Sequence, residues 1–277
     1  MSLIYELFRT SVPLALVTMG ALASEYAGTM AVFADGFINL GAFLFYFFTT
    51  LFNSAILGFV ITIFSACLLA FVTAVFTQKL KANPFLTGLA LNVAVSGIIS
   101  LLSVEFFGTR GVLTLDFIIF DGFNSVFIVW CGWFCVIILA LLLSFSKLGI
   151  YLKAIGSDKN IAFARGLNVN KWQIISWCIA ACFSAFAGCV LVSRINSFVP
   201  NISAGRGWTG LAAVFLGRKK IPGVFVAIAI FTLAEFTANN IQRIPIFNSV
   251  SSAFLLSLPY IVALLLIGFS FHNKKSS

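Results

Sequence analysis

Charge is what this sequence has least of. Lys, Arg, Asp and Glu make up 9% of its 277 residues, against roughly 25% in soluble domains, and a soluble fold is excluded on that ground. Acids are scarcer than bases, eight against seventeen, and the one His is His272 near the tail. An embedded enzyme would show clustered acids, His or a nucleophile with its base; scattered acids argue against one, and no catalytic residue is assigned. No GxxxxGK[ST] phosphate loop is present, so ATP is not bound in that manner. HExxH and Cys/His clusters are also missing, and no metal site is expected. The bases sit in loops beside apolar blocks, not on a basic face with exposed aromatics, which argues against nucleic-acid binding. Six Cys fall at 67, 131, 135, 178, 182 and 189, all inside apolar blocks, where Cys acts as a small hydrophobe.

What fills the chain instead is apolar: 61% hydrophobic residues, 33 Phe and a mean hydropathy of +1.10. Crossing a bilayer takes about 20 apolar residues. Blocks of that kind lie at 28–52, 54–78, 85–104, 123–146, 172–192, 222–240 and 250–270. Two shorter pieces, 11–23 and 207–217, read as half-helices or re-entrant segments. Such pieces are tolerated only inside protein or beside a water-filled path, so they point to transport. Residues 1–23 imitate a secretory signal ending in Ala21-Leu22-Ala23, but Pro13 and Gly20 interrupt the run and another apolar block follows. The expectation is a retained helix. No linker or low-complexity tract divides the chain, and 1–277 reads as a single membrane domain, all-α, with about 7–9 transmembrane helices.

Orientation follows from the basic residues. With the loop 147–171 in the cytoplasm, Lys79, Lys81, Lys147, Lys153, Lys159, Arg165, Lys171, Arg218, Lys219, Lys220, Lys274 and Lys275 fall inside. Arg110, Arg194, Arg206 and Arg243 fall outside. Segment 105–121, with Glu105, Arg110, Asp116 and Asp121, and segment 193–206, with Phe198-Val199-Pro200, become external loops.

Within the spans polar residues are few. Asp35 and Glu235 are the acids, with Glu25 just ahead of a span. A charge inside a span is costly to bury and marks function by default. Asp35, one turn from Asn39, either lines a path or caps or pairs with a neighbouring helix. Asn92, Ser96 and Ser100 recur every four residues and share one helix face, which either glues helices or lines a path. Asn239 and Asn240 at an external helix end are weaker candidates. In the polar run 154–169, Ser157 or Asp158 can cap a short helix and Gly166 can close it. Ile161, Ala162 and Ala164 give that helix a small apolar patch, with Lys159 and Arg165 on other faces. About two turns are marginal in water alone, so the segment is expected to dock onto something.

Four stretches together resemble a known family: SEYAGTMAVFADGFINLGAF (24–43), TGLALNVAVSGIISLL (87–102), LKAIGSDKNIAFARGLNVNKWQ (152–173) and SFVPNISAGRGWTGLAAVFLGRKKIPG (197–223), with LPYIV (258–262) fitting the end. They are similar to permease subunits of bacterial ABC importers for nucleosides and simple sugars, relatives of the branched-chain amino-acid permeases. Riboflavin permeases are also similar. The departures are Ala31 for the family Asn, Asp35 for the family Glu and Tyr26 for the family Arg.

The resemblance implies a multi-pass protein of the bacterial cytoplasmic (inner) membrane. It implies a second permease chain, non-identical here, two cytoplasmic ATP-binding subunits that use ATP and Mg, and an extracytoplasmic substrate-binding lipoprotein. The chain itself binds no cofactor. The segment about 152–171 becomes a cytoplasmic coupling helix using Ser157, Asp158, Ile161, Ala162, Arg165 and Gly166, and Asp35, Asn39, Asn92 and Ser96 become candidates for the substrate path. An ion-gradient-driven secondary transporter of a small polar solute is the alternative; it calls for inverted repeats and a midplane ion site, and no internal repeat is visible.

Overall fold

The computed structural model describes residues 3–114 and 125–241. The expected span 250–270, the motif 258–262, Asp116, Asp121, Arg243, Lys274, Lys275 and His272 lie outside the described residues, as do the side chains of Asn239 and Asn240.

Ten helices follow in order: α1 (Leu3–Tyr26), α2 (Ala34–Phe52), α3 (Ala55–Lys79), α4 (Pro84–Phe107), α5 (Ser125–Phe145), α6 (Lys147–Ser157), α7 (Lys159–Ala164), α8 (Val169–Ile195), α9 (Arg206–Leu216) and α10 (Ile221–Ile241). Two short strands, β1 (Leu113–Thr114) and β2 (Ser197–Phe198), pair antiparallel. Among the described residues, seven helices are long and apolar enough to cross a membrane. Several start where local chemistry fixes the start. Asn83 accepts from Phe85 N–H at 2.9 Å ahead of Pro84, and Asn168 accepts from Lys171 N–H at 3.1 Å. Both satisfy donors that have no partner within the helix.

α1, α2 and α8 form the centre. Their packing uses small residues that let backbones approach: Gly41 lies against the backbone of Ala185, and Gly188 against that of Ile38 and Ala42. Around this centre α3, α4 and α5 present Phe64, Phe71, Val93, Leu101 and Phe134 outward, an apolar surface suited to lipid. Cys189 is buried facing the Gly41 carbonyl, and Cys178 faces that of Cys67.

Three expectations are revised. The piece 11–23 is not a half-helix: α1 runs unbroken from Leu3 to Tyr26 through Pro13. Its central residues are almost wholly buried, and packing there outweighs the hydrogen bond that proline removes. The span set at 28–52 begins at Ala34, because Gly28 takes φ +68 and the chain turns through 27–33. Finally, 193–206 is not simply an external loop. Residues through Ile195 belong to α8 and Ser203 is fully buried. From β2 the chain descends into the protein and emerges as α9, whose 11 residues span about 16 Å, half the hydrocarbon thickness. That matches the expected half-helix at 207–217.

Candidate functional site

Two helices start inside the protein, and neither has a cap of its own. Phe33 precedes α2 with no side-chain cap bond, and Gly205 precedes α9 likewise. The free N–H groups of a buried helix start must still be satisfied. Residues from other helices supply the acceptors. Asn92 on α4 accepts from Gly36 N–H at 2.7 Å through Oδ1 and donates through Nδ2 to the Val32 carbonyl at 2.8 Å. Asp35 on α2 accepts from Gly207 N–H at 3.0 Å and from the Ser203 hydroxyl at 3.0 Å. Asn39, one turn on, donates to Ser203 Oγ at 2.9 Å and accepts from Ser203 N–H at 3.0 Å.

Asp35 thus sits at the positive end of α9, where a carboxylate is stabilised by the helix dipole and by charge-assisted bonds. Gly207 is required there, since a Cβ would collide with the backbone of Asp35. Arg206, beside it, pairs with Glu235 of α10 and donates to the carbonyls of Ile202 and Ser203 at 3.2 and 3.3 Å.

Above this junction lies a cavity of about 250 Å³, lined by Asn39, Ser96, Ile99, Ser100, Ser103, Arg110, Phe198, Pro200 and Asn201. Its walls come from α2, α4 and the descending segment after β2. Of the four path candidates, Asn39 and Ser96 reach this cavity, while Asp35 and Asn92 lie beneath it as the two caps. Ser96 is exposed and donates to the Asn92 carbonyl at 2.9 Å. Arg110, Phe198, Ser103 and Asn201 were not among the path candidates, although Phe198 and Asn201 lie in the stretch 197–223 that carries the family resemblance.

The opposite face is built around Tyr26. Its hydroxyl donates to the Lys219 carbonyl at 2.8 Å, and Lys219 pairs with Glu25 at 2.6 Å. The Lys153 ammonium lies 4.9 Å from the Tyr26 ring centre, and Gly156 of α6 abuts the Tyr26 carbonyl. These contacts join α6, the end of α1 and the α9–α10 turn.

Next along the chain, Asp158 caps α7 by accepting from Asn160 and Ile161 N–H at 2.8 and 3.1 Å. Ser157 is the last residue of α6 and does not cap. Gly166, at φ +81, donates to the Phe163 carbonyl at 2.9 Å and closes the turn. The apolar patch differs from the expected one: Ala162 turns inward at 2% exposure, while Ile161 and Phe163 stand out at 54% and 74%. Arg165 is exposed beside them.

A family model described as branched-chain amino acid transport system / permease component matches residues 3–267. The guanosine ABC transporter permease protein NupQ of Bacillus subtilis is 22% identical over 288 residues, covering 93% of this chain and 88% of that protein. The nucleoside ABC transporter permease protein NupC of Lactococcus lactis subsp. cremoris is also 22% identical, with the same coverage of each chain. The ribose import permease protein RbsC of Escherichia coli is 32% identical over 82 residues, 30% of this chain and 26% of that one. Among solved structures, PsaBC from Streptococcus pneumoniae in complex with Fab contains a chain of the same fold. Its TM-score is 0.54 at 15% identity, over 96% of this chain and 91% of that one.

Proposed function

This chain belongs to the family of branched-chain amino acid transport system permease components, and from that premise we propose that it is the membrane permease subunit of an ATP-binding-cassette importer. Its cargo is a nucleoside or a related small polar solute, with a simple sugar and riboflavin as the neighbouring choices. The observation that carries this reading is the cavity held above two buried helix starts. Amide, hydroxyl and guanidinium groups of Asn39, Ser96, Ser100, Arg110 and Asn201 converge there with the Phe198 ring. A hydroxylated, ring-bearing solute uses both kinds of contact, and the similarity to nucleoside permeases along 93% of the chain supports the same class.

The whole of 1–277 acts as one permease domain of the bacterial inner membrane. A polar wall formed by one chain needs an opposite wall, supplied by a second, non-identical permease chain. ATP and Mg are handled by separate ATP-binding subunits on the cytoplasmic side, and an extracytoplasmic lipoprotein delivers the solute. The coupling segment 152–171 meets the ATP-binding subunits through Ile161 and Phe163, whose exposure suits a groove. Arg165 pairs at the rim, and Asp158 and Gly166 hold α7 in shape with Ala162 anchoring it from beneath. Tyr26 then relays movement of α6 to the α9–α10 turn and so to the half-helix under the cavity.

Labelled uptake in cells with and without the gene, competed by nucleosides, riboflavin and simple sugars, tests the reading. Gene-dependent uptake competed by nucleosides and abolished by ATP depletion is expected. Uptake that survives ATP depletion and collapses with an ionophore overturns it.

A further inference from the structure

A second cavity, of about 310 Å³, is lined by Arg9, Leu191, Arg194, Ile195, Ile202 and Arg206. Three guanidinium groups from three helices therefore share one space. Arginine stays protonated in proteins, so their charges are permanent. The acids that answer them are fewer. Glu235 pairs with Arg206, and Glu6 and Glu235 are the carboxylates near enough to interact with Arg194. Among the described residues, three positive groups against two negative ones leave one charge over. Among the described residues the two ion pairs are Arg206–Glu235 and Lys219–Glu25, so Arg9 and Arg194 have none. Arg9 Nε is buried with no hydrogen-bond partner. Outside the described residues, the sequence from 242 to 277 contains no Asp or Glu, and 115–124 contains Asp116 and Asp121.

The three arginines are partly buried; a buried donor without an acceptor is costly, and surplus positive charge within a membrane-spanning chain marks binding. The position fits. Arg194 lies in the last turn of α8 and Arg9 near the start of α1; with the coupling segment in the cytoplasm, both helix ends face outward, and Arg206 starts the half-helix α9 deeper in the protein. Guanidinium forks match tetrahedral oxyanions, since each can give two parallel hydrogen bonds to adjacent oxygens.

We propose that the cavity between Arg9, Arg194 and Arg206 binds a phosphate group; it shares no lining residue with the solute cavity. The same chemistry comes from a phospholipid headgroup of the outer leaflet or from a free phosphate, and two measurements tell these apart. The purified transporter is titrated with inorganic phosphate against chloride at equal ionic strength, following thermal unfolding. Separately, its tightly held phospholipid is counted by phosphorus analysis after delipidation. Arg194→Gln removes one fork, and Ile195→Trp fills the cavity while leaving every charge in place, so loss in both is not a folding effect of the charge change.

Stabilisation by phosphate that weakens roughly tenfold or more in both variants establishes a free-phosphate site. Retention of about one phospholipid per chain in the wild type, lost in both variants, establishes the lipid as its source, because a headgroup adds the anchoring of its buried chains. Neither a phosphate response nor a lipid difference between wild type and variants overturns the proposal. So does stabilisation by polyglutamate with none by phosphate.

Discussion

Asp35 illustrates how one carboxylate organises a re-entrant structure. Its two oxygens accept from Ser203, in the turn before α9, and from Gly207, in its first turn, while Asn39 holds Ser203 from the next turn of α2. Asp35→Ala removes two charge-assisted bonds inside the protein and is expected to cost about 2–4 kcal/mol, read as a lowered unfolding temperature in detergent. Asp35→Asn keeps one acceptor oxygen and should cost roughly half as much. An unchanged unfolding temperature with lost uptake would instead make Asp35 a ligand of the solute. Asn92→Ala likewise uncaps α2, leaving Gly36 N–H and the Val32 carbonyl unpaired, and should destabilise by about 1–3 kcal/mol in the same measurement.

At the scale of elements, α7 shows how little holds a six-residue helix. The Asp158 cap supplies two hydrogen bonds, and a cap of this kind contributes about 1 kcal/mol. Asp158→Ala should therefore speed amide exchange in 159–164 by roughly fivefold, as 1 kcal/mol dictates, and reduce ATP-dependent uptake in parallel. Ile161→Asp with Phe163→Asp should leave exchange unchanged and abolish association with the ATP-binding subunits; retained association would move the docking surface elsewhere.

The long apolar helices and this capped turn were legible in the sequence because their causes are local: runs of about 20 apolar residues, an Asp ahead of a helix, a Gly behind it. What stayed hidden was decided at a distance. The half-helix after Gly205 was expected from its apolar run, but its cap was not, and the start of α2 after Phe33 was missed, because the caps come from Asp35 and Asn92 on other helices. The length of α1 was hidden for the same reason, since burial overrides Pro13. The three-arginine cavity was invisible because Arg9, Arg194 and Arg206 meet only in space.

For the molecule as a whole, the orientation makes a separate prediction. With the orientation expected from the basic residues, Arg110, which lines the cavity, faces outward and the exposed Phe163 faces the cytoplasm. A membrane-impermeant maleimide should label Arg110→Cys in intact cells and Phe163→Cys only after permeabilisation. The native thiols add little background because none of the six is exposed. The reverse pattern would invert the chain.

The glycine contacts between α2 and α8 bear on what can move. With Gly41 set against Ala185 and Gly188 against Ile38, the two helices mesh backbone to backbone and behave as one stiff spar. Freedom is left to the non-helical joints at 27–33 and 199–205, which flank the two buried helix starts. On the proposed coupling route, a push at α6 would enter through Tyr26 and turn α9 about this spar, as a crank turns on a fixed axle. A tether between α2 and α8 should cost nothing in uptake. A cross-link joining Lys153→Cys to Lys219→Cys should stall it until reductant sets the crank free.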